Sequence, residues 1–301
     1  MAEITALMVK QLRERTGAGM MECKKALEEA NGSIDDAVDV LRKRGIASAA
    51  KKATRSTKQG SITVALSGDR AAGTILEFNC ESDFVARTED FQTMVGELTQ
   101  QALEAPLGTT RDAMLEAPYR ADATQTVQQI IAGKIGKIGE NMQIARFEKI
   151  EGGLLGTYIH PGAQLGVLVQ VTGASPATAS NEEIQELLRD VAMQVAAADP
   201  QFVRREEVTT ATLDKEREIQ RERARQEGKP EKVIDKMIEG RMSKYFEEFC
   251  LLEQPFIKDN TVTVGQLVAD KAKKIGEPLA VARFVRYKVG ETAPADAPAE
   301  A

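Results

Sequence analysis

The segment KIGENMQIARFE, residues 137–148, recurs with variation as KIGEPLAVARFV, residues 274–285, and the two copies agree at seven of twelve positions. A second pair of segments, 93 residues apart, places apolar residues at the same helical spacing: Phe91, Met94, Val95, Leu98 and Ala102 in the first, and Ile184, Leu187, Leu188, Val191 and Val195 in the second. Matches of this kind predict that the chain contains two copies of one folding unit.

A β-hairpin pattern precedes each of these helical stripes. Apolar runs separated by a Gly-containing turn occupy residues 62–66 and 74–79 in the first copy, and residues 154–160 and 165–171 in the second. Each copy is therefore predicted to run strand, strand, helix, further helix, strand. The predicted fold class is α+β, with helices packed on small antiparallel sheets, over residues 61–152 for the first copy and over residues 153–204 and 249–290 for the second.

The second copy must also contain an insertion, because the two repeat offsets, 93 and 137 residues, differ by 44. Residues 214–227 carry ten charges in fourteen positions, and residues 228–230 read Gly-Lys-Pro, a turn signal. Apolar residues then recur at helical spacing from Val233 to Tyr245. We therefore predict an antiparallel helical hairpin over residues 205–248, with arms of about 27 Å at about 1.5 Å per residue.

The first 45 residues predict a separate bundle of three short helices. The three apolar stripes are Ile4, Leu7, Met8 and Leu12; Met20, Cys23, Leu27 and Ala30; and Ile34, Ala37, Val38 and Leu41. Ser33 and Asp36 form a capping-box pattern at the start of the third helix, and Gly45 is predicted to end it. A three-helix bundle of this size resembles the ubiquitin-associated fold.

Two further segments are predicted to lie outside the packed units. Residues 46–60 form a linker, and residues 291–301, rich in Ala, Pro and acidic residues, form a disordered tail. Seven basic and no acidic residues lie between Arg42 and Lys58, so this run is either a solvated tether or a contact for an acidic partner. Because the run lacks aromatic residues and the net charge is −6, nucleic acid is not an expected partner.

The sequence offers little for catalysis or for a cofactor. His160 is the single histidine, so a pair of histidine ligands for a metal is impossible, and no GxxxxGKS/T phosphate loop occurs. We therefore expect no enzymatic activity, no cofactor, no metal, and no binding of GDP or GTP by the chain alone. Cys23, Cys80 and Cys250 are far apart and odd in number, which predicts unpaired thiols in a reducing cytoplasm. No apolar run approaches the roughly 20 residues that a membrane span needs.

The repeat identifies one unusual connection. Where the second copy has TGASPATASN, residues 172–181, the first has NCESDFVART, residues 79–88. The first copy thus places Asp83 beside Phe84 between a strand and a helix, where a large aromatic side chain is normally packed or used in binding. Two interpretations remain open on this pattern: Asp83 caps the helix while Phe84 enters the core, or the pair contacts a partner.

Two longer motifs carry a family resemblance. LRERTGAGMMECKKAL, residues 12–27, and EFNCESDFVAR, residues 77–87, resemble the two signature sequences of the elongation factor Ts family. Phe78 stands where the second signature usually has an aliphatic residue. The similarity runs from Ala2 to about Gly290 and includes the helical-hairpin insertion, which only some members of the family have.

The resemblance implies a protein that is not an enzyme and that drives guanine-nucleotide exchange on elongation factor Tu in the cytoplasm during translation elongation. It implies that Asp83 and Phe84 intrude into the nucleotide domain of elongation factor Tu, disturb its Mg²⁺ and β-phosphate site, and release GDP. It also implies supporting contacts from four residues of the bundle and one of the second copy. These residues are Lys10, Met20, Met21, Lys24 and His160.

Other interpretations stay open at this point. Met20 belongs to an apolar stripe and is predicted to be core, whereas Met21 lies off that stripe and is the better contact residue. Pro161, directly after His160, departs from the family pattern and bears on the geometry of that histidine. A ubiquitin-associated-type adaptor without exchange activity is the alternative function, and a hydrolase with a site not identified from the sequence is a third class.

Overall fold

A computed structural model describes residues 3–292, and the contacts within it divide the chain into two units. Among the described residues, the first unit comprises residues 3–63, Leu76–Glu148 and 288–292, and the second comprises Val64–Ile75 and Lys149–Tyr287. No helix among the described residues is long and apolar enough to cross a membrane. The predicted disordered tail, residues 291–301, lies outside the described residues except for its first two.

The elements are, in chain order, α1 (Ala6–Thr16), α2 (Met20–Glu29), α3 (Ile34–Lys52), β1 (Gln59–Leu66), β2 (Ala72–Cys80), α4 (Asp83–Ala86), α5 (Glu89–Glu104), α6 (Arg111–Glu116), β3 (Pro118–Tyr119), β4 (Asp122–Thr126), α7 (Val127–Ile138), β5 (Met142–Glu151), β6 (Leu154–Ile159), β7 (Leu165–Thr172), α8 (Glu182–Ala198), α9 (Thr210–Gln226), α10 (Glu231–Phe249), β8 (Pro255–Phe256), β9 (Asp259–Thr263), α11 (Val264–Ile275) and β10 (Ala280–Lys288). The predicted α+β fold class is confirmed by this order and by the small antiparallel sheets.

The N-terminal bundle packs α1, α2 and α3 around a small core. Its fully buried side chains are Leu12, Cys23, Ala26, Leu27 and Ala37. Local signals start and stop the helices as expected: Thr5 and Ser33 cap α1 and α3 through their hydroxyl oxygens, and Gly17 ends α1 in a left-handed conformation. The predicted three-helix bundle is therefore confirmed.

The end of α3 was predicted wrongly. Gly45 does not stop the helix, which continues to Lys52, so the first half of the predicted linker is helical. Gly45 is instead a point of close approach to α7: a β-carbon at Gly45 would lie 3.3 Å from the carbonyl oxygen of Ala132, and one at Gly136 would lie 3.2 Å from the Gly45 Cα. A glycine that lets two helices approach has the same sequence signature as a helix stop.

Most of the first copy of the repeat lies in the first unit, whereas Val64–Ile75 of its hairpin and the end of β5 from Lys149 belong to the second. The three-stranded sheet of this copy has the order β1-β2-β5. Strand β2 is the central strand and is buried from its second residue to its last. Helix α5 packs on this sheet with all five residues of its predicted stripe buried, from Phe91 to Ala102. Burying a side chain the size of Phe91 stabilises a fold by about 1.5–3 kcal/mol, so this stripe contributes substantially to the core.

The second copy has the matching sheet, β6-β7-β10, again with the second hairpin strand in the centre. Strands β6 and β7 are antiparallel and in continuous register from Leu154↔Val171 to Ile159↔Gly166. Helix α8 buries its predicted stripe, Ile184 to Val195. Two short ribbons, β3–β4 and β8–β9, were not predicted. Each pairs a two-residue strand with a largely polar five-residue strand, and neither leaves an alternating apolar pattern in the sequence.

The repeat extends to the caps of equivalent helices. Thr126 with Gln129 forms a capping box on α7, and Thr263 with Gln266 forms the same box on α11, both at the 137-residue offset. Both helices end at a left-handed glycine, Gly139 or Gly276. The two copies thus share their architecture down to single hydrogen bonds, and differences between them stand out against a common frame.

The predicted insertion is an antiparallel pair of helices, α9 and α10. Its seam buries Ala224, Ile234, Ile238 and Met242, and its flanks carry many ion pairs between Arg and Glu or Asp. The chain enters and leaves the insertion at neighbouring points, since the Gln201 amide donates to the Phe249 carbonyl at 2.9 Å and Phe202 pairs with Cys250. The predicted domain boundaries remain a prediction.

Candidate partner-binding site

The short helix α4 follows directly from the central strand β2 and carries the Asp83-Phe84 pair. At the end of β2, the buried Cys80 thiol donates to the Ser82 carbonyl at 3.1 Å. Burial raises the pKa of Cys80 to about 12, so the thiol stays protonated at neutral pH. All three cysteines are buried and unpaired, as expected.

Ser82, not Asp83, caps α4. Its hydroxyl oxygen accepts from the Val85 amide at 3.4 Å, while Asp83 occupies the first helical position and its carboxylate accepts from Arg87 at 2.9 Å. The interpretation in which Asp83 serves as the cap is therefore wrong. Because Ser and Asp are both preferred N-cap residues, the sequence could not choose between neighbouring candidates.

Phe84 points into solvent with 81% of its surface exposed, the largest fraction among the exposed large hydrophobic side chains of residues 3–292. Ala86 is buried and Val85 packs partly against the core of the first unit. At about 100° per residue, Phe84 lies roughly opposite Ala86 on the helix, so anchoring Ala86 turns Phe84 outward. The interpretation in which Phe84 enters the core is wrong, and Phe78 and Phe91 are the aromatic residues that fill this region of the core, with ring centroids 5.3 Å apart.

Two carboxylates that the sequence analysis did not single out hold this connection. Glu140, just after α7, accepts from the Ser82 hydroxyl at 2.6 Å and from the Ser82 amide at 2.9 Å. In return, the Asn141 amide donates to Glu81 at 2.6 Å. The loop after β2 and the loop before β5 are thus joined by reciprocal hydrogen bonds, which we call the Glu81–Glu140 clasp.

The second copy repeats half of this arrangement. At the position of α4 it has a 3₁₀ turn, Pro176–Ser180, where the Ser175 amide donates to Glu277 at 3.0 Å and the Thr178 hydroxyl donates to the same carboxylate at 2.8 Å. These hydrogen bonds lower the pKa of Glu277. Ser175 and Glu277 are the counterparts of Ser82 and Glu140 at the two repeat offsets, a signal that was already in the sequence. Ala177 stands where the first copy has Phe84.

The bundle residues of the site lie on helices α1 and α2 of the same unit. Met20 and Met21 are 61% and 63% exposed, so the prediction that Met20 is core is wrong. Met20 is the first residue of α2 and lies one turn before the buried Cys23. The buried part of the stripe begins at Cys23 and does not include Met20. Lys10 and Lys24 are exposed, each about 3.8–3.9 Å from a glutamate one helical turn further on.

Lys137 lies near the turn before α2 and near the first turn of α5. Met20 is the first residue of α2, and α4 directly precedes α5. A β-carbon at Gly17, in the turn before α2, would lie 3.2 Å from Lys137 Nζ. Lys137 pairs with Asp90 at 2.6 Å, and this hydrogen bond is the main cause that lowers the pKa of Asp90. Asp90 belongs to the first turn of α5, four residues after α4 ends. Lys137 thus lies near both Gly17, three residues before Met20, and Asp90, four residues after α4, within the first unit.

His160 belongs to the second unit, where it follows β6 in the turn to β7. The ring is exposed, and its Nδ1 lies 3.0 Å from the Tyr158 hydroxyl. The backbone amide of His160 donates to the Leu165 carbonyl at 2.9 Å, so the residue closes the hairpin despite Pro161. Ala163, with φ of 54°, and Gly162 provide the left-handed backbone that this turn requires.

Comparison with known proteins shows which proteins this chain is similar to. A family model described as "Elongation factor TS" matches residues 81–291. The curated protein "Elongation factor Ts" of Clostridium perfringens is 43% identical over 290 residues, covering 96% of this chain and 93% of that protein. The protein of the same name from Clostridium kluyveri is 44% identical over the same length and coverage. The one from Clostridium botulinum strain Alaska E43 is 43% identical, again over 290 residues.

Proposed function

The chain belongs to the elongation factor Ts family, and from this membership we propose that it is a guanine-nucleotide exchange factor for elongation factor Tu. In this proposal Asp83 and Phe84 enter the nucleotide domain of elongation factor Tu and disturb its Mg²⁺ and β-phosphate site. Met20, Met21, Lys10 and Lys24 make supporting contacts. His160 is proposed to contact the same partner.

The observation that carries the proposal is the exposure of Phe84 on an anchored turn. A fully buried phenylalanine stabilises a protein by about 1.5–3 kcal/mol, and a side chain 81% exposed retains most of that for a partner. The counterpart turn of the second copy has the same Ser–Glu anchor but carries Ala177. Since the fold is satisfied by alanine at this place, the aromatic ring in the first copy is best explained by binding.

The mechanism needs no bond-making group. An exchange factor binds its nucleotide-free partner more tightly than the nucleotide-bound one, and by linkage GDP weakens the complex as strongly as the factor weakens GDP. Moving a Mg²⁺ ion away from its ligands removes the main counter-charge of a bound diphosphate. Because each 1.4 kcal/mol is about tenfold in affinity, a few disturbed contacts suffice to speed release by orders of magnitude.

The test mixes the purified protein with elongation factor Tu loaded with a fluorescent GDP analogue and excess unlabelled GDP. Rapid loss of the bound fluorescence, dependent on the concentration of the added protein, is the expected result. The Phe84→Ala protein is assayed in parallel. Slower GDP release by this variant would attribute the acceleration to the Asp83-Phe84 pair and not to binding of elongation factor Tu alone. No acceleration together with measurable binding to ubiquitin would replace exchange by the adaptor function.

A further inference from the structure

Helix α4 is too short to hold its own shape. It has four residues, and a single helical turn is unstable in water without tertiary contacts. Its hold on the core includes the buried Ala86 and the partly buried Val85 on one side, and the Ala86 carbonyl accepts from the side-chain amide of Gln92 in α5. At its N-terminal end the hold is the Glu140 carboxylate, which accepts both the hydroxyl and the amide of Ser82, the residue that caps α4.

These two hydrogen bonds belong to the stronger class because the acceptor is charged. They also constrain two atoms of one residue, so they fix both the position and the direction of the chain as it enters α4. Phe84 follows two residues later, and a rotation of the entering chain would swing its ring. Other hydrogen bonds hold neighbouring atoms: the Cys80 thiol donates to the Ser82 carbonyl, the Gln92 side-chain amide donates to the Ala86 carbonyl, and the Asn141 amide donates to Glu81. Among these contacts, the Glu140 carboxylate is the one that accepts from the amide and hydroxyl of the cap residue.

The second copy shows what the anchor does in the absence of an aromatic ring. Glu277 holds Ser175 and Thr178 in place with the same chemistry. The turn it fixes exposes no large side chain, since its exposed residues are Ser175, Pro176, Ala177 and Ser180. The carboxylate is therefore an inherited part of the repeat and keeps the strand-to-helix turn folded. In the first copy the same device fixes a turn that carries an exposed phenylalanine.

We propose that Glu140 is a positioning residue for nucleotide exchange: its clasp on Ser82 holds α4 so that Phe84 is presented in one orientation. The inference rests on the proposed function of Phe84. A ring that is already oriented loses little conformational entropy when it enters the partner, whereas a mobile one must be ordered at that moment. Because the ordering is needed where the nucleotide site is disturbed, losing Glu140 lowers the maximal exchange rate more than it raises the concentration of half-saturation.

The chain contains no tryptophan, which allows a direct test without any partner. In the Phe84→Trp protein the indole is the only tryptophan, and its time-resolved fluorescence anisotropy reports the motion of α4. Glu140→Gln keeps the volume of the side chain but replaces one acceptor oxygen by an amide donor. We expect a larger and faster local depolarisation of Trp fluorescence in the Glu140→Gln background.

The matched control is Glu277→Gln, which alters the equivalent anchor of the second copy and is expected to leave the anisotropy unchanged. Ser82→Ala removes the hydroxyl bond to Glu140 together with the cap bond to the Val85 amide, and it keeps the backbone-amide bond to Glu140. It supplies a second variant if Glu140→Gln does not fold. Thermal melts of each variant identify loss of fold. Unchanged anisotropy in a folded Glu140→Gln or Ser82→Ala protein would overturn the role of the clasp.

Exchange is then measured at several concentrations of GDP-bound elongation factor Tu. We expect Glu140→Gln to lower the maximal rate roughly threefold to tenfold when Phe84 is present and to change it little in a Phe84→Ala background. An equal loss in both backgrounds would overturn the inference, since Glu140 would then act by another route. A Phe84→Ala protein that exchanges at the full rate would instead overturn the proposed function, and that comparison does not involve Glu140.

Discussion

Replacing Asp83 and Phe84 together by alanine should show whether the pair serves binding to elongation factor Tu or the stability of this protein's own fold. Phe84 is 81% exposed, and the Asp83–Arg87 pair is a partly exposed contact within one turn. A buried phenylalanine loses about 3–5 kcal/mol on truncation to alanine, so one with about a fifth of its surface covered should lose below about 1 kcal/mol. An exposed ion pair one helical turn apart adds only about 0.3–0.5 kcal/mol. The melting temperature should therefore fall by no more than about 4 °C.

The effect on exchange should be larger. The exposed part of Phe84 makes about 1–2.5 kcal/mol available on burial in a partner, which corresponds to about 5- to 60-fold at 1.4 kcal/mol per tenfold. With the Asp83 contacts removed as well, GDP release should slow by at least about tenfold. Stopped-flow release of a fluorescent GDP analogue from elongation factor Tu measures this rate, and differential scanning calorimetry measures the stability of the same sample.

Two controls bracket the double variant. Pro176→Ala changes the equivalent turn of the second copy and should leave exchange within about twofold of the unaltered rate. Phe91→Ala removes a fully buried ring and should melt many degrees lower, with exchange falling only as the folded fraction falls. A double variant that melts early yet exchanges at the normal rate per folded molecule would refute the reasoning, because Phe84 would then be a structural side chain.

Further outcomes follow from other parts of the chain. Deleting residues 205–248 and joining the ends with about four Gly/Ser residues should leave a cooperatively melting core, because the two ends are already hydrogen-bonded neighbours; a molten product by circular dichroism would contradict the repeat boundary. Hydrogen bonds from Lys271 and then Lys274 lower the pKa of Glu183 to about 2, so its stabilising effect is present above pH 4.5 and is lost as the pH falls toward 2. Glu183→Gln should therefore melt earlier at pH 7, and the difference should shrink as the pH falls toward 2. Gly45→Leu should destabilise by about 1–3 kcal/mol through overpacking against α7, whereas Gly96→Ala, with open space at its β-carbon, should stabilise by about 0.5–1 kcal/mol in urea titrations.

The sequence by itself determined what depends on local periodicity and on repetition. The apolar stripe of α5 and its copy in α8 are written at helical spacing, and all of their residues are buried. The difference between the two repeat offsets located the helical insertion, because an inserted segment changes one offset and not the other. The motifs around Met20 and Phe84 identified the family because each is a continuous string of residues that can be recognised without the fold.

Tertiary structure alone decided what depends on which distant segments approach one another. A glycine at position 45 could end the helix or allow another helix to pack closely against it. Only the position of α7 shows that the second alternative applies. Met20 continues an apolar stripe, yet no helix covers the end of α2 where it lies. The outward direction of Phe84 follows from the burial of Ala86 and from a carboxylate 58 positions beyond Ser82 in the chain. Such contacts are set by packing between segments, and this packing has no period along the sequence. The Asp83-Phe84 motif was therefore visible in the sequence, but the outward orientation of Phe84 required the fold.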